Sequence, residues 1–581
     1  MEEAIQESPQ PIKQTSMHLK IFMRNAKYKK LHTKYINPKG NPNGNGVTGM
    51  HEVEVKHWID VLAEHLASKN IKEHVINGGM AASGTIHIGK TRGEIFLQAA
   101  VANRLRKMGK EVKHLLVVYT QDPLKAKPPL ITKEFEDKWK GVRILDVPCP
   151  VGCCGNWVEH WMTPFYKSYK KYDLGEITFV ETSKVYEMRE MIEVIKTYIR
   201  KRDAVREILN RFRGQKYGKD WIPFKPLCPK CKNISTTKAV SVDLEAEEVE
   251  YECPRCGSKG VVKLNEGKLE WRLEWAALWK VLNVTFEPYG KDHAAAGGSR
   301  DTCTALAKEI LEIEPPEGFP YEWVYLNGEA MSSSGGISFD FAEWDKVADP
   351  HVLKYWYYVS KPMTHLEFSV SKIPQLCEEY EKAERIYYGL ESLKDKKVEK
   401  IIKRSYELAH NEKPSPEMPL QIPYTFALVL VQVTPSGEKQ IEEIVNRLIR
   451  TGHLKGYPTS DQLEQIKIVM GRAKYYIEKY APENLKIKVL DKLPKEVIES
   501  ISPNEREYLT KLADRISGRK PTPKELEAEI LECAKEMGID TKRAFQTIYK
   551  ILIGRDSGPR LAPFMLSLNE DFIVKRLKLL T

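Results

Sequence analysis

The sequence predicts a multidomain chain that begins as α/β, carries a cysteine-rich insertion and ends all-α. Three observations predict it. The first is the run "HVINGGMAASGTIHIGKTRGE" over 74–94. Its apolar start, ending in glycines, reads as a buried strand entering a turn. Ile95, Ala99, Ala102 and Leu105 then recur at helical spacing, "KMGK" (107–110) supplies a basic stop, and "VKHLLVVY" (112–119) reads as a second strand. Together they make one βαβ unit whose helix N-terminus can receive phosphate. The second observation is that seven of the 10 cysteines fall between Cys149 and Cys256. The third is the helical periodicity after Lys372, as in "PQLCEEYEKAERIYYGLESL" (374–393) and "SDQLEQIKIVMGRAKYYIEKY" (460–480), with short polar or proline breaks.

Bulk properties narrow the function classes. A chain of 581 residues exceeds one core, and three or four domains are expected. No stretch approaches the ~18 apolar residues of a membrane helix, and the N-terminus lacks a signal peptide's apolar core, so a cytoplasmic protein without a membrane partner is expected. The net charge of +11 permits an acidic partner such as RNA without requiring one. Residues 1–50, with "NPKGNPNGNGVTG" (37–49), read as a flexible N-terminal arm. Folded sequence is expected to begin at the amphipathic "VKHWIDVLAEHLASK" (55–69).

The cysteines fall into two groups. "CPKC" and "CPRC" place Cys228, Cys231, Cys253 and Cys256 in two knuckles, the zinc-ribbon spacing. Four protein ligands close the tetrahedron, so the role is structural; an iron–sulfur cluster is the less natural alternative. "CPVGCCGNWVEH" offers Cys149, Cys153, Cys154 and His160 as a second Cys₃His set, against the alternative that one or two are ordinary buried thiols.

Three further segments fall in order along the chain: "SGTIHIGK" (83–90), "GKDHAAAGGSRDT" (290–302) and "YEWVYLNGEAMSSSGG" (321–336). They resemble the HIGH motif, the nucleotide-contacting segment and the KMSKS loop of class I aminoacyl-tRNA synthetases. "EWRLEWAALW" (270–279), "IPYTFALVLVQV" (422–433) and "GPRLAPFMLSLNEDFIVKRLKLL" (558–580) narrow the resemblance to class I lysyl-tRNA synthetases of archaeal type, collinear from about Val55 to the C-terminus. The resemblance implies a Rossmann-type catalytic domain in two halves (51–144 and 266–345) around a zinc-bearing insertion (145–265). A connecting helical stem (346–395) and a helical anticodon-binding domain (396–581) follow.

It also implies a reaction: activation of lysine by ATP, with Mg2+, to an aminoacyl-adenylate, then transfer to tRNA(Lys). In that reading His87, Gly89, Lys90 and the loop Ser332, Ser333 and Ser334 serve catalysis. Ser83, Gly84, His87, Gly89, Asp292 and Met331 hold ATP, with Asp292 accepting from ribose hydroxyls. Gly79, Glu94, His293, Tyr321 and one of Trp271 or Trp275 line the amino-acid pocket, while Trp279 is expected to pack in the core.

The motifs depart from the family pattern at chemical positions. Ala330 and Ser333 stand where KMSKS has lysines, and Lys90 stands where asparagine or histidine is usual, which makes Lys90 the expected triphosphate cation. The carboxylate expected six residues after the motif histidine is replaced by Gly93, with Glu94 one step later. One helical step turns a side chain by about 100°, so Glu94 points away unless the turn is shifted. The acidic pair usual after the second strand is reduced to Asp122. Two readings follow: a lysine–tRNA ligase, or a diverged paralogue that binds tRNA or activates another amino acid without making Lys-tRNA.

Overall fold

The computed structural model describes residues 55–212 and 216–580. The arm expected over 1–50 lies outside the described residues. The amphipathic segment forms helix α1 (Trp58–Ala67), which buries Ile59, Ala63 and Leu66. The βαβ unit follows as β1 (Glu73–Met80), helix α2 (Leu97–Lys107) and β2 (Glu111–Val118), with β1 and β2 parallel and in register from Glu73↔Glu111 to Met80↔Val118. Strand β3 (Thr178–Glu181) joins the far edge of β2, also parallel.

On its other edge β1 meets chain from beyond the insertion. Asn77 N donates to Phe286 O (3.0 Å), and Thr285 N donates to Val75 O (2.9 Å). This segment continues into β4 (Tyr289–Gly290), which pairs in parallel with β5 (Pro320–Tyr321). The parallel order is therefore 3-2-1-4-5, the doubly wound arrangement in which the strand order reverses beside β1. Ligands of such sheets bind outside the carboxyl ends of the strands at that reversal, where Met80, Gly290 and Tyr321 end their strands.

The insertion holds a three-stranded antiparallel sheet (Lys238–Asp243, Glu248–Glu252, Lys259–Lys263), two strands between the cysteine knuckles and the third after them. It returns to the catalytic sheet through a buried ion cluster. Lys268 pairs with Asp122, just beyond β2, and with Glu274 Oε2 at 3.0 Å on helix α3 (Trp271–Val281). Tyr186 Oη donates to the second oxygen of Glu274 (2.8 Å). Asp122, expected as the remnant of an acidic pair, is thus taken up by this cluster.

After the catalytic halves the chain is helical. The helix Lys396–Ala409 packs on Pro350–Val359 and Ile373–Tyr387, where Tyr406 Oη donates to Glu384 (2.8 Å). It therefore sits with the stem helices; Ser460–Lys479 packs on Tyr424–Val433 and Phe341–Val347, and the helices from Pro503 to Leu577 pack on one another. Among the described residues no helix is long and apolar enough to cross a membrane.

Replacing Lys268 by Met leaves the fully buried Glu274 carboxylate without its cation, a loss of about 3–5 kcal/mol. Denaturant unfolding of Lys268→Met should show that loss, and Lys268→Met with Glu274→Met should recover much of it.

Candidate active site

The turn after β1 is built around glycines because other segments lie against it. A Cβ at Gly84 would overlap the backbone carbonyl of Ser333, and one at Gly89 would lie 3.2 Å from Met331 Sδ. The serine loop is therefore shut against the glycine turn. Ser332 N donates to Ile337 O (2.7 Å) and Gly335 N to Ser332 Oγ (3.2 Å), closing the loop on itself. Ser333 is buried, its Oγ unpartnered among the described residues. Ser83 and Ser334 are half-buried on the two facing turns.

His87 precedes the short helical turn Ile88–Thr91, and its Nδ1 accepts the Lys90 N–H at 3.0 Å. That bond fixes the tautomer: the proton sits on Nε2. Burial, reinforced by the Lys90 charge, lowers its pKa to about 3, so the ring is a neutral donor at physiological pH. Lys90 does not extend into solvent; its Nζ donates to Ala81 O at 2.7 Å, beneath the turn. Burial lowers it to about 8, opposed by the Glu94 charge.

Residues Arg92–Phe96 form a π turn rather than α-helix. The extra residue per turn shifts the phase, and Glu94 swings into the site despite its one-step offset. Its Oε2 accepts from Gly79 N at 2.9 Å, and its Oε1 accepts from Tyr321 Oη. Burial raises Glu94 to about 7, opposed by those two hydrogen bonds. Gly93 has a separate reason to be glycine, since a Cβ there would overlap the Tyr321 ring. Arg92 is locked beside them, donating to Glu322 O (2.7 Å), Lys361 O (3.0 Å) and Pro362 O (3.1 Å).

Trp271 and Trp275 both belong to the pocket wall: the His293 ring lies 5.1 Å from Trp271, near-parallel, and 5.3 Å from Trp275. Asp292 stands exposed beside His293, Oδ2 to Nε2 at 3.5 Å. Trp279 packs in the core as expected, yet its Nε1 donates to Glu287 Oε2 (2.5 Å).

Glu287 is the residue the sequence did not single out. It is buried, and it accepts from Trp275 Nε1 (3.2 Å) and Asn77 Nδ2 (2.9 Å) as well as Trp279. Burial raises its pKa. A lone glutamate at the end of "NVTFE" carries no pattern; only the indole donors four residues apart on one face of α3 hint at an acceptor.

The two cysteine groups also assemble. Cys149 Sγ lies 3.6 Å from Cys153 Sγ and 3.4 Å from His160 Nδ1, with Cys154 completing the set. In the second group Cys228–Cys256 and Cys231–Cys253 each stand 3.6 Å apart. A tetrahedron with Zn–S of about 2.3 Å has edges of about 3.8 Å. Both sets can hold a metal ion.

The site thus joins a glycine turn, a neutral histidine, a serine loop and a carboxylate pocket at one sheet reversal. The family model described as tRNA synthetases class I (K) matches residues 56–412, and one described as anticodon binding domain matches 462–580. The chain belongs to the class I lysyl-tRNA synthetases. It is 36% identical over 538 residues to the lysine--tRNA ligase of Aeropyrum pernix, covering 90% of this chain and 97% of that one. To the ligase of Methanosphaera stadtmanae it is 34% identical over 537 residues, covering 90% and 99%. To that of Methanocaldococcus jannaschii it is 35% identical over 537 residues, again 90% and 99%. This synthetase chain therefore spans nearly the whole of each relative.

Gly93→Ala should displace the Tyr321 ring and break its bond to Glu94. Overpacking of this kind costs about 1–3 kcal/mol. A lowered Tm with unchanged metal content would register it, and an unchanged Tm would show that the ring moves freely.

Proposed function

We propose that this chain activates lysine with ATP and transfers it to tRNA(Lys), in the cytoplasm, using the residues gathered at the end of β1. One observation carries the reading: the π turn brings a carboxylate into the pocket where the sequence pattern alone would have left Gly93. Glu94, held by Gly79 N and Tyr321, is the acceptor for the substrate ammonium. His293 and the faces of Trp271 and Trp275 line the alkyl chain, since aromatic faces also favour a cation.

Adenylation needs the lysine carboxylate to attack the α-phosphate of ATP while pyrophosphate leaves. The site contributes position and donors rather than a covalent step. The His87 Nε2–H donates to the phosphates, Ser83, Gly84 and Gly89 let them approach the backbone, and Ser332, Ser333 and Ser334 close over them. Met331 packs against the adenosine side, and Asp292 accepts from the ribose. Lys90, anchored on the Ala81 carbonyl, adds positive charge from beneath the turn, where the KMSKS lysines are missing. Mg2+ is held mainly by the nucleotide's own phosphates. The helical C-terminal part, over 462–580, holds the anticodon arm.

The cysteine sets fit structural zinc: Cys228, Cys231, Cys253 and Cys256 for one ion, Cys149, Cys153, Cys154 and His160 for the other. Bound zinc would lock each loop and leave no open position for substrate. Metal analysis should return two zinc per chain, with Cys228→Ser and Cys149→Ser each losing one. Loss of a single ion by Cys228→Ser from a chain that held only one removes the Cys149 set.

Lysine-dependent pyrophosphate exchange, run with tRNA present, tests the main reading; no exchange with any amino acid leaves a tRNA-binding paralogue instead. The pH dependence follows from Glu94. The ionised carboxylate binds the ammonium, and lysine's own ε-amine stays protonated to about 10.4. Since Glu94 has a raised pKa of about 7, it gains a proton as pH falls through that value. The apparent KM for lysine should therefore climb below pH 7, by up to about tenfold per unit. Glu94→Gln should raise KM and flatten that profile; an unaltered profile in Glu94→Gln would assign the titration elsewhere.

A further inference from the structure

At the opposite end of the sheet from the ATP turn lies a cavity of about 540 Å³. It opens where α2 ends, roughly 17 residues and about 25 Å of helix beyond Lys90. Its walls come from Arg106 and Lys107 of α2, Asp173, His351, and the turn carrying His410 and Lys413. The stem helices and the Rossmann half meet here.

The charges around it are unbalanced. Arg104, two positions before Arg106, shares Asp60 and Glu412 with Arg404. Arg106 instead donates to neutral acceptors: Asn103 Oδ1 (3.1 Å), Val112 O (3.4 Å) and Glu176 O (3.1 Å). Behind the wall the fully buried Lys354 donates to Asp173 O (2.9 Å) and Asn411 Oδ1 (3.1 Å), again neutral. Lys107 and Lys413 are exposed and make no ion pair among the described residues. The single carboxylate in the wall, Asp173, already accepts from Asn411 Nδ2 (2.7 Å).

The histidines add a flat polar face. His351 and His410 stack at 4.2 Å with 7° between their planes. Tyr380 Oη engages His410 Nε2 (2.9 Å), and Asp349 Oδ1 engages His351 Nδ1 (2.9 Å). The other ring nitrogen of each has no partner among the described residues. Burial, with the charges of His351 and Lys354 nearby, lowers His410 to about 3, so its ring is neutral at physiological pH. Burial likewise lowers Lys354 to about 8.

Neither the buried ammonium of Lys354 nor the part-buried guanidinium of Arg106 touches a carboxylate among the described residues, although Asp173 and Glu176 act on them at longer range, and an anion would offset the cost of burying them. Arginine and lysine side chains lining a cavity of this size match a phosphate group with room for a diphosphate or a nucleotide. We propose that this cavity is a second anion site, remote from the ATP turn, that binds a phosphate group through Arg106, Lys107 and Lys413. The phosphate is either that of a free small molecule or one along an RNA backbone.

The test is calorimetric titration of the full chain with sodium pyrophosphate at low ionic strength, comparing wild type with Lys107→Gln/Lys413→Gln and with Arg106→Gln. The ATP turn is intact in all three proteins, so the difference between isotherms reports the cavity alone and does not depend on the synthetase reading. The variants should lose one binding event, or weaken it at least about tenfold for each cation removed. Lys107 and Lys413 are exposed, so their double variant should keep the wild-type Tm and lysine-dependent exchange rate.

Filter binding of tRNA across salt then separates the sources. A salt slope reduced by about one per cation removed assigns the phosphate to RNA. An unchanged slope alongside lost pyrophosphate binding assigns it to a free ligand. If the double variant matches wild type in both the pyrophosphate isotherm and the tRNA slope, the proposal is overturned.

Discussion

The π turn at Arg92–Phe96 holds together parts of the chain that the insertion separates. On its inner side Glu94 meets Gly79 from the first catalytic half and Tyr321 from the second. On its other side Arg92 spends three hydrogen bonds on carbonyls of Glu322, Lys361 and Pro362. An ordinary α-turn would point one of these groups away, since successive side chains differ by about 100°. The turn is kept in its wider form by what surrounds it: the Tyr321 ring fills the space above Gly93, and the buried Arg92 guanidinium has its acceptors only in this orientation. Removing the wide turn would therefore disturb the pocket and the seam between the halves together.

Burial tunes the charges around that seam in a consistent direction. It raises Glu94, to about 7, and it raises Glu287 as well. It lowers His87 and Lys90, so the phosphate side presents a neutral donor and a weakly held proton rather than a fixed high charge. Glu287 is the extreme case, since all of its named donors are neutral indoles and an amide. Shifts of this kind cluster where chemistry is done.

Much of this was legible in the sequence. The glycine turn, the order of the strands flanking it and both cysteine sets follow from spacing, because turn chemistry and metal ligation need fixed residue types at fixed intervals. Glu94 was not legible as a site residue by periodicity, because helical phase assumes 3.6 residues per turn and the π turn breaks that assumption. Asp122 looked like a catalytic remnant, and only the return of the chain at Lys268 reveals its partner, 146 residues away. Lys90 reads as a cation for the triphosphate; its Nζ is anchored on a backbone carbonyl, which no residue pattern encodes. Glu287 needed the indoles of α3 placed in space before it had meaning.

The edge of β1 that accepts Thr285 and Phe286 waits for residues 210 positions further along the chain. A ribosome adds about 5–20 residues per second, so that edge emerges roughly 10–40 s before its partner does. Throughout that interval the nascent βαβ unit presents a row of unpaired backbone groups flanked by apolar side chains, the kind of surface that invites wrong pairing. The insertion is synthesised in the gap, and its cysteine knuckles can collapse locally without help from the sheet. A late-folding insertion prolongs the exposure of β1, and holdase chaperones become the competitors of Phe286 for the same edge.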